Sequence, residues 1–491
     1  MGYWTRGYVT RGEEVSSKTR LSEFWATYRR SRMGLVGLGI LMFFLLVAVL
    51  APVLTPYDPL ADRFLAEGIA LPSWYRLIPG YGDLPQTTDF PVAPKIDSEN
   101  WQAKTETPFG ILADGALTLE FTATPGHVET GTAELRHRLH YPFAPPLSFQ
   151  IATNFRFGPI ENSVYQIELF MLDTDSVQFL IWSSGFNTGP LETPELRLDS
   201  KGLPFEYKSR MGLEWYQNVA EHIFSKKGAY TVLLRFQVKA VDPALPSSFS
   251  VVLSNLDLHV PGRVHGVLGT DHLGSDLMSQ LLYGTRVSLL IGVSAATLAV
   301  SIGLAVGLVS GYQGGITDEA FMRLVDLLLV LPGLPLLMIL SGLFGRNIWN
   351  MVLLLGILSW PGFARVVRAQ VLQLKTATFV EASRAIGSSS GHIMLRHLLP
   401  NVLPLAYATV ALYIPGAVIT EAALSFLALG DPNTPSWGRI FYSANAFGAF
   451  EHLAWWWIIP PGVAITLLSL SFVFIGSTLD EILNPRIRAR K

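Results

Sequence analysis

The sequence predicts a membrane all-α fold of six transmembrane helices, with a mainly-β, sandwich-like extracytoplasmic domain inserted between helices 1 and 2. Three observations predict it. Charge-free apolar runs recur at both ends of a 491-residue chain that is 50% hydrophobic and 15% charged, against about 25% charged in soluble domains. Between the first and second runs, residues 58–264 alternate apolar and polar side chains with period two. Lysine and arginine crowd some connections and are scarce in others, which sets the parity of the spans.

The N-terminal segment, residues 1–32, is polar and basic, with Arg6, Arg11, Lys18, Arg20, Arg29, Arg30 and Arg32. Residues 33–57 contain no charge and exceed the roughly 20 apolar residues that cross a bilayer. The run starts too late and is too long for a cleaved secretory signal, so it is expected to remain as transmembrane helix 1.

Residues 58–264 change texture. Leu147, Phe149 and Ile151 alternate with polar residues, as do Tyr165, Ile167, Leu169 and Met171, and again Tyr230, Val232, Leu234, Phe236 and Val238. Proline, glycine and Asn/Asp punctuate the gaps, the pattern of half-buried strands in an antiparallel sandwich. Leu213, Tyr216, Ala220 and Ile223 have helical spacing and predict one amphipathic helix.

Residues 265–285 lead into helix 2, and 286–480 hold helices 2–6. Charge-free runs at 287–317, 327–345, 347–364, 398–420 and 453–479 mark those five spans. Gly303 and Gly307 have the four-residue spacing that lets helices approach closely. Residues 481–491 form a basic tail with Arg486, Arg488, Arg490 and Lys491. The connection 365–400 carries Arg365, Arg368, Lys375, Arg384 and Arg396, whereas the short loops of the other side carry only Arg346 and Arg439. Positive-inside bias therefore places both termini and 365–400 in the cytoplasm, and 58–264 outside.

Composition also excludes. A net charge of −2 argues against nucleic acid as partner. With no cysteine, disulfides, thiolate metal sites and cysteine catalysis are ruled out. No paired-histidine zinc motif or Rossmann fingerprint occurs, and no Gly-Lys dipeptide supplies a phosphate-binding loop. No catalytic residue or metal ligand is therefore assigned. His137 and His140 stand three apart on a predicted strand, on opposite faces, which suits surface histidines better than ligands.

Glu381–Asn401, EASRAIGSSSGHIMLRHLLPN, is a polar interruption between apolar runs. It reads as a helix over Phe379–Ile386, a break at Gly387 and the serines, a second helix over Ile393–Leu399 and a stop at Pro400. Asp326 and Glu421 are ionisable residues at the edges of apolar runs, where carboxylates are costly and often functional. The bland expectation is that each is hydrated or paired near a span's end, with Arg323 one turn from Asp326.

Glu381–Asn401 resembles the EAA loop of inner-membrane permease subunits of ABC importers. Glu381 and Ala382 match that pattern, Ser383 replaces its third small residue, and Gly387, Leu399 and Pro400 fall in register. His397 takes a usually apolar place, and Arg396-His397-Leu398-Leu399-Pro400-Asn401 is similar to the dipeptide/oligopeptide/nickel branch. Ala51-Pro52 through Asp58-Pro59, His265–Gly284, Gly311–Gly315, Met322–Pro332 and Pro435–Gly438 resemble further stretches of that branch. The likeness covers the first span and everything after Val264, and leaves the inserted domain unaccounted for. The last strand of that domain, Phe249–Val260, is similar to the closing strand of carbohydrate-binding sandwiches, a pattern generic among such folds.

The resemblance implies a membrane all-α permease in the plasma or inner membrane, a transport subunit rather than an enzyme. It implies a second homologous permease, two ABC ATPase subunits that hold ATP and magnesium, and an extracytoplasmic solute-binding protein. Glu381, Ala382, Ser383, Arg384, Gly387, His397, Leu399 and Pro400 would contact the ATPase, with Ala382 and Ser383 allowing close approach. Asp326, Pro332, Glu421 and Trp437 become pore or gating candidates. Peptides are the expected cargo, with oligosaccharides or nickel complexes as alternatives. An alternative of another class is a membrane-anchored extracytoplasmic binding protein.

Overall fold

A computed structural model describes residues 24–92, 101–105, 109–113, 117–126, 130–193 and 195–483. Arg6, Arg11, Lys18, Arg20 and the tail basic residues Arg486, Arg488, Arg490 and Lys491 lie outside the described residues. The chain divides into two units, residues 1–60 with 279–491, and residues 61–278.

The first apolar run folds as helix α1 (Arg32–Leu54), started by Ser31, whose hydroxyl accepts from Gly34 N at 3.1 Å. Pro52 lies inside it.

The strand-rich unit follows. Six strands make one sheet: β2 (Thr88–Val92), β4 (Phe109–Ala113), β5 (Leu117–Ala123), β7 (Gln150–Glu161), β10 (Glu195–Asp199) and β12 (Ser247–Val260). They run in the order β10-β7-β12-β5-β4, with β2 also on β12. The facing sheet runs β3 (Trp101–Thr105), β6 (Thr130–Tyr141), β11 (Gly228–Ala240), β8 (Ser163–Leu172), β9 (Gln178–Ser183). The alternation seen in sequence is the burial pattern: Tyr165, Ile167, Leu169 and Met171 on β8, and Tyr230, Val232, Leu234, Phe236 and Val238 on β11, point into one core. Phe121, Phe155, Phe249 and Val251 of the other sheet meet them there. This is an antiparallel sandwich, because each strand has one apolar face to bury.

The helix expected over Leu213–Ile223 is not formed as one piece. Helix α2 (Phe205–Arg210) ends at Met211, Gly212 takes a φ of +75°, and only Val219–Ile223 (α3) is helical again, capped by Asn218. A turn replaces the first half of that helix: Gln217 N donates to Glu214 O at 3.1 Å and Glu214 N donates to Gln217 Oε1 at 2.7 Å, and Trp215 and Tyr216 are left exposed. His137 is half-buried and His140 exposed, on opposite faces of β6.

The two ends of the sandwich are stitched together. A parallel pair joins β1 (Leu71–Pro72) to β13 (Val264–His265), Glu67 N donates to Gly262 O at 2.9 Å, and Ile69 N donates to Asp271 O at 2.8 Å. Residues 265–278, read from sequence as the approach to helix 2, thus pack with the strand-rich unit.

The remaining helices are α4 (Leu277–Gln313), α5 (Gly315–Val330), α6 (Gly333–Phe344), α7 (Ile348–Leu374), α8 (Thr378–Ala385), α9 (Leu399–Phe426), α10 (Trp437–Ala446) and α11 (Trp455–Leu483). Among the described residues, five helices are long and apolar enough to cross a membrane, and six if α5 and α6 count as one bent span. That pair corrects the straight span read over 327–345: the axis turns by 92° at Leu331-Pro332. Pro332 lacks an N–H and pushes the preceding residue into extended backbone, where Leu331 sits at φ −69°, ψ 135°.

Small residues set the packing. A Cβ on Gly303 would stand 2.9 Å from Trp360 O, and one on Gly307 would stand 2.6 Å from Ala364 O, so α4 lies tight on α7. Gly34 and Gly37 of α1 do the same against Thr478 and Ser471 of α11.

Candidate functional site

The loop between α7 and α9 is built outward from a buried stripe. Val380 of α8 joins Tyr312, Val371, Ile393 and Leu398 in one apolar cluster. Ser383, three residues on, is buried on the same side, whereas Glu381, Ala382, Arg384 and Ala385 are exposed. Ser383 therefore faces the bundle, correcting its expected place on the contact surface: helical period puts i and i+3 on one face. Arg384 lies 6.0 Å above the Tyr312 ring, within cation–π range.

Gly387 closes α8. Its φ is +85°, Gly387 N donates to Arg384 O at 3.0 Å, and Ser388 N donates to Ser383 O at 3.1 Å. These two bonds form a Schellman cap, in which the left-handed residue is best a glycine.

Pro400 does not stop the second helix, contrary to the sequence expectation. Ile393–Leu398 winds as π-helix, Leu399 N donates to Met394 O, and α9 continues through Pro400 to Phe426. The wider turn changes the carbonyl register facing the proline ring, and Asn401 Nδ2 donates to His397 O at 2.7 Å beside it. His397 is half-buried, with its ring 6.2 Å from Phe379. Leu399 is half-buried and Pro400 exposed.

The four gating candidates are dispersed. Asp326 pairs with Arg365 of α7, while Arg323 pairs with Glu319 at 3.7 Å, so the expected Arg323–Asp326 pair is replaced. One turn along, Arg368 grips Asp318 with two bonds of 2.6 Å. Arg365 and Arg368 thus belong to α7, which runs ten residues past the predicted end of that span. Glu421 is wholly buried and accepts from Ser425 Oγ at 2.7 Å. Trp437 is wholly buried too; its Nε1 donates to Leu281 O at 3.0 Å and its ring meets Phe44 edge-on at 5.7 Å. Trp437 joins α1, α4 and α10.

None of the four lines the cavity of this unit, although Gly333 beside Pro332 and Thr420 beside Glu421 do. About 350 Å3 in volume, it lies where the start of α6 meets α4, α7 and α9, lined by Ala296, Gly333, Ser359, Tyr413 and Gly416 among others. Sequence reasoning missed these residues. Small side chains on separate helices carry no local signal that they share a space.

Residues 303–489 match the family described as binding-protein-dependent transport system inner membrane component, and residues 19–71 match the N-terminal TM domain of oligopeptide transport permease C. A protein of Brucella suis named as a peptide permease is 38% identical over 219 residues, covering 44% of this chain and 72% of that one. The oligopeptide transport system permease protein OppC of Haemophilus influenzae is 33% identical over 285 residues, 56% of this chain and 90% of that one. The dipeptide transport system permease protein DppC of Bacillus subtilis is 33% identical over 275 residues, 56% and 85%. Among solved structures, a family 11 carbohydrate-binding module from Clostridium thermocellum covers 37% of this chain and 99% of its own, at 10% identity and a TM-score of 0.20. A score that low carries no argument.

Proposed function

Because the chain belongs to the family of binding-protein-dependent transport system inner membrane components, we infer that it forms half of the translocation pathway of an ATP-driven ABC importer of peptides. Such a family comprises multi-pass transport permeases, not enzymes. Peptide cargo is supported by the names of its relatives: peptide, oligopeptide and dipeptide permeases.

The observation that carries the coupling reading is the two-sided build of α8. Val380 and Ser383 anchor it to the bundle while Glu381, Ala382 and Ala385 face outward, beside an 83% exposed Ile386. A short helix held rigidly between two spans passes on a rigid-body displacement. In this reading a cytoplasmic ATPase grips the outward face, ATP with magnesium binds in that partner, and closure of two ATPases draws this loop toward that of a second permease. The basic connection 365–400 lies in the cytoplasm with both termini, residues 61–278 lie outside, and an extracytoplasmic solute-binding protein delivers cargo.

The test is purification from native membranes of wild type and of Glu381→Ala. Wild type is expected to carry ATPase subunits, and the variant to lose most of them with membrane insertion unchanged, because Glu381 is exposed. Wild type without any ATPase, or a variant retaining it in full, would sink the coupling role.

A further inference from the structure

Two glycines open the cavity of the helical unit. Two glycines of α4 are filled by neighbours: a Cβ on Gly292 would stand 2.6 Å from Val418 Cγ2, and one on Gly303 would stand 2.9 Å from Trp360 O. A Cβ on Gly333 or Gly416, both lining the cavity, would meet nothing within 4 Å. At about 350 Å3 the space lies at the small end of the roughly 300–1,000 Å3 of small-molecule sites.

Its lining is neutral. No Asp, Glu, Lys, Arg or His borders it. Asp326 and Asp318 are held by Arg365 and Arg368. The polar groups are hydroxyls, and Thr420 already donates its own to Gly416 O at 2.7 Å. Ser359 and Tyr413 add two more, among Ala296, Ala299 and other apolar walls.

We propose that this cavity is a cargo subsite that takes one uncharged side chain of a passing peptide, admitting it by size and disfavouring charge. The inference rests on the peptide-importer reading above. An apolar side chain gains by leaving water for this lining, whereas a charged one loses hydration and finds no counter-ion. Gly333 and Gly416 determine how large a side chain fits.

The test is ATP-dependent uptake of Ala-Ala-Ala, Ala-Leu-Ala and Ala-Lys-Ala by the complete transporter in proteoliposomes. Wild type is compared with Gly416→Leu, Gly333→Leu and Ser359→Asp. Wild type is expected to prefer Ala-Leu-Ala over Ala-Lys-Ala by about 10-fold, and each leucine variant to lose about 10-fold on Ala-Leu-Ala while keeping wild-type uptake of Ala-Ala-Ala. Ser359→Asp is expected to shift the preference toward Ala-Lys-Ala. Leucine variants that keep the wild-type ranking, or that lose all three peptides equally, overturn the subsite alone. A wild-type assembly that moves none of the peptides overturns the proposed function, and this inference with it.

Discussion

Arg286 of α4 donates through Nε to the carbonyl of Ala48, and through Nη2 to that of Val49 at 3.1 Å. Ala48 is the residue four before Pro52, so its carbonyl is the one the proline leaves without a helical N–H. A side chain from one helix thus completes the backbone of another. Arg286→Ala is expected to destabilise the purified protein by about 1–3 kcal/mol, the cost of an unmet acceptor. Pro52→Ala restores the helical bond, so the double variant should lose less than the two singles summed. Strict additivity in thermal unfolding would refute the link.

Gly387 is held left-handed by the cap at the end of α8. Gly387→Ala should cost about 1 kcal/mol, because a Cβ disfavours that backbone, and Gly387→Asn should cost less. Equal melting temperatures for wild type and both variants would count against the cap.

Gly307 sits against Ala364 O with no room for a Cβ. Gly307→Val is expected to overpack α4 on α7 and cost about 1–3 kcal/mol, whereas Gly416→Ala, facing open space, should cost far less. Detergent-solubilised thermal shifts compare them directly.

Ala428, just past α9, has a φ of +63°, the left-handed region that glycine adopts without penalty. Ala428→Gly should stabilise by about 1 kcal/mol. A lowered melting temperature would show that this strain is absent.

Glu134 lies across from Arg235 on β6 and β11, bonded to Arg235 Nε at 2.9 Å and to Arg136 at 2.7 Å. Burial pushes its carboxyl up, but the hydrogen bonds and charges of Arg136 and Arg235 outweigh that and leave it below its ordinary 4.5. A depressed folded value contributes stability that is present above 4.5 and is lost as pH falls through the folded value. Acid titration of the full chain should therefore show a destabilising step below 4.5 that Glu134→Gln removes. An unchanged acid profile in that variant would exclude the ion pairs as its cause.

How much was legible varies with the range of the cause. The sandwich strands were readable because period-two alternation is a local property, and β8 and β11 bury the side chains that pattern named. The helix over Leu213–Ile223 forms only in its second half, because spacing says nothing of the turn in which Gln217 and Glu214 bond each other. In the loop, the helix end at Gly387 was legible from cap chemistry. The inward side of Ser383 was visible only once Val380 had a cluster to join. Pro400 was read as a stop because a sequence does not announce a π-turn.

Composition, charge-free run length and alternation by themselves determined that helices and a strand-rich insertion share this chain, since each follows from how neighbouring residues meet lipid or water. Only the tertiary structure decided that Asp326 pairs with Arg365 instead of Arg323, that Arg286 serves the proline of α1, and that Gly333 and Gly416 open onto one space. Those outcomes depend on which distant residues are brought together. Ion pairs, carbonyl acceptors and cavities are satisfied by proximity in space, which sequence spacing does not encode.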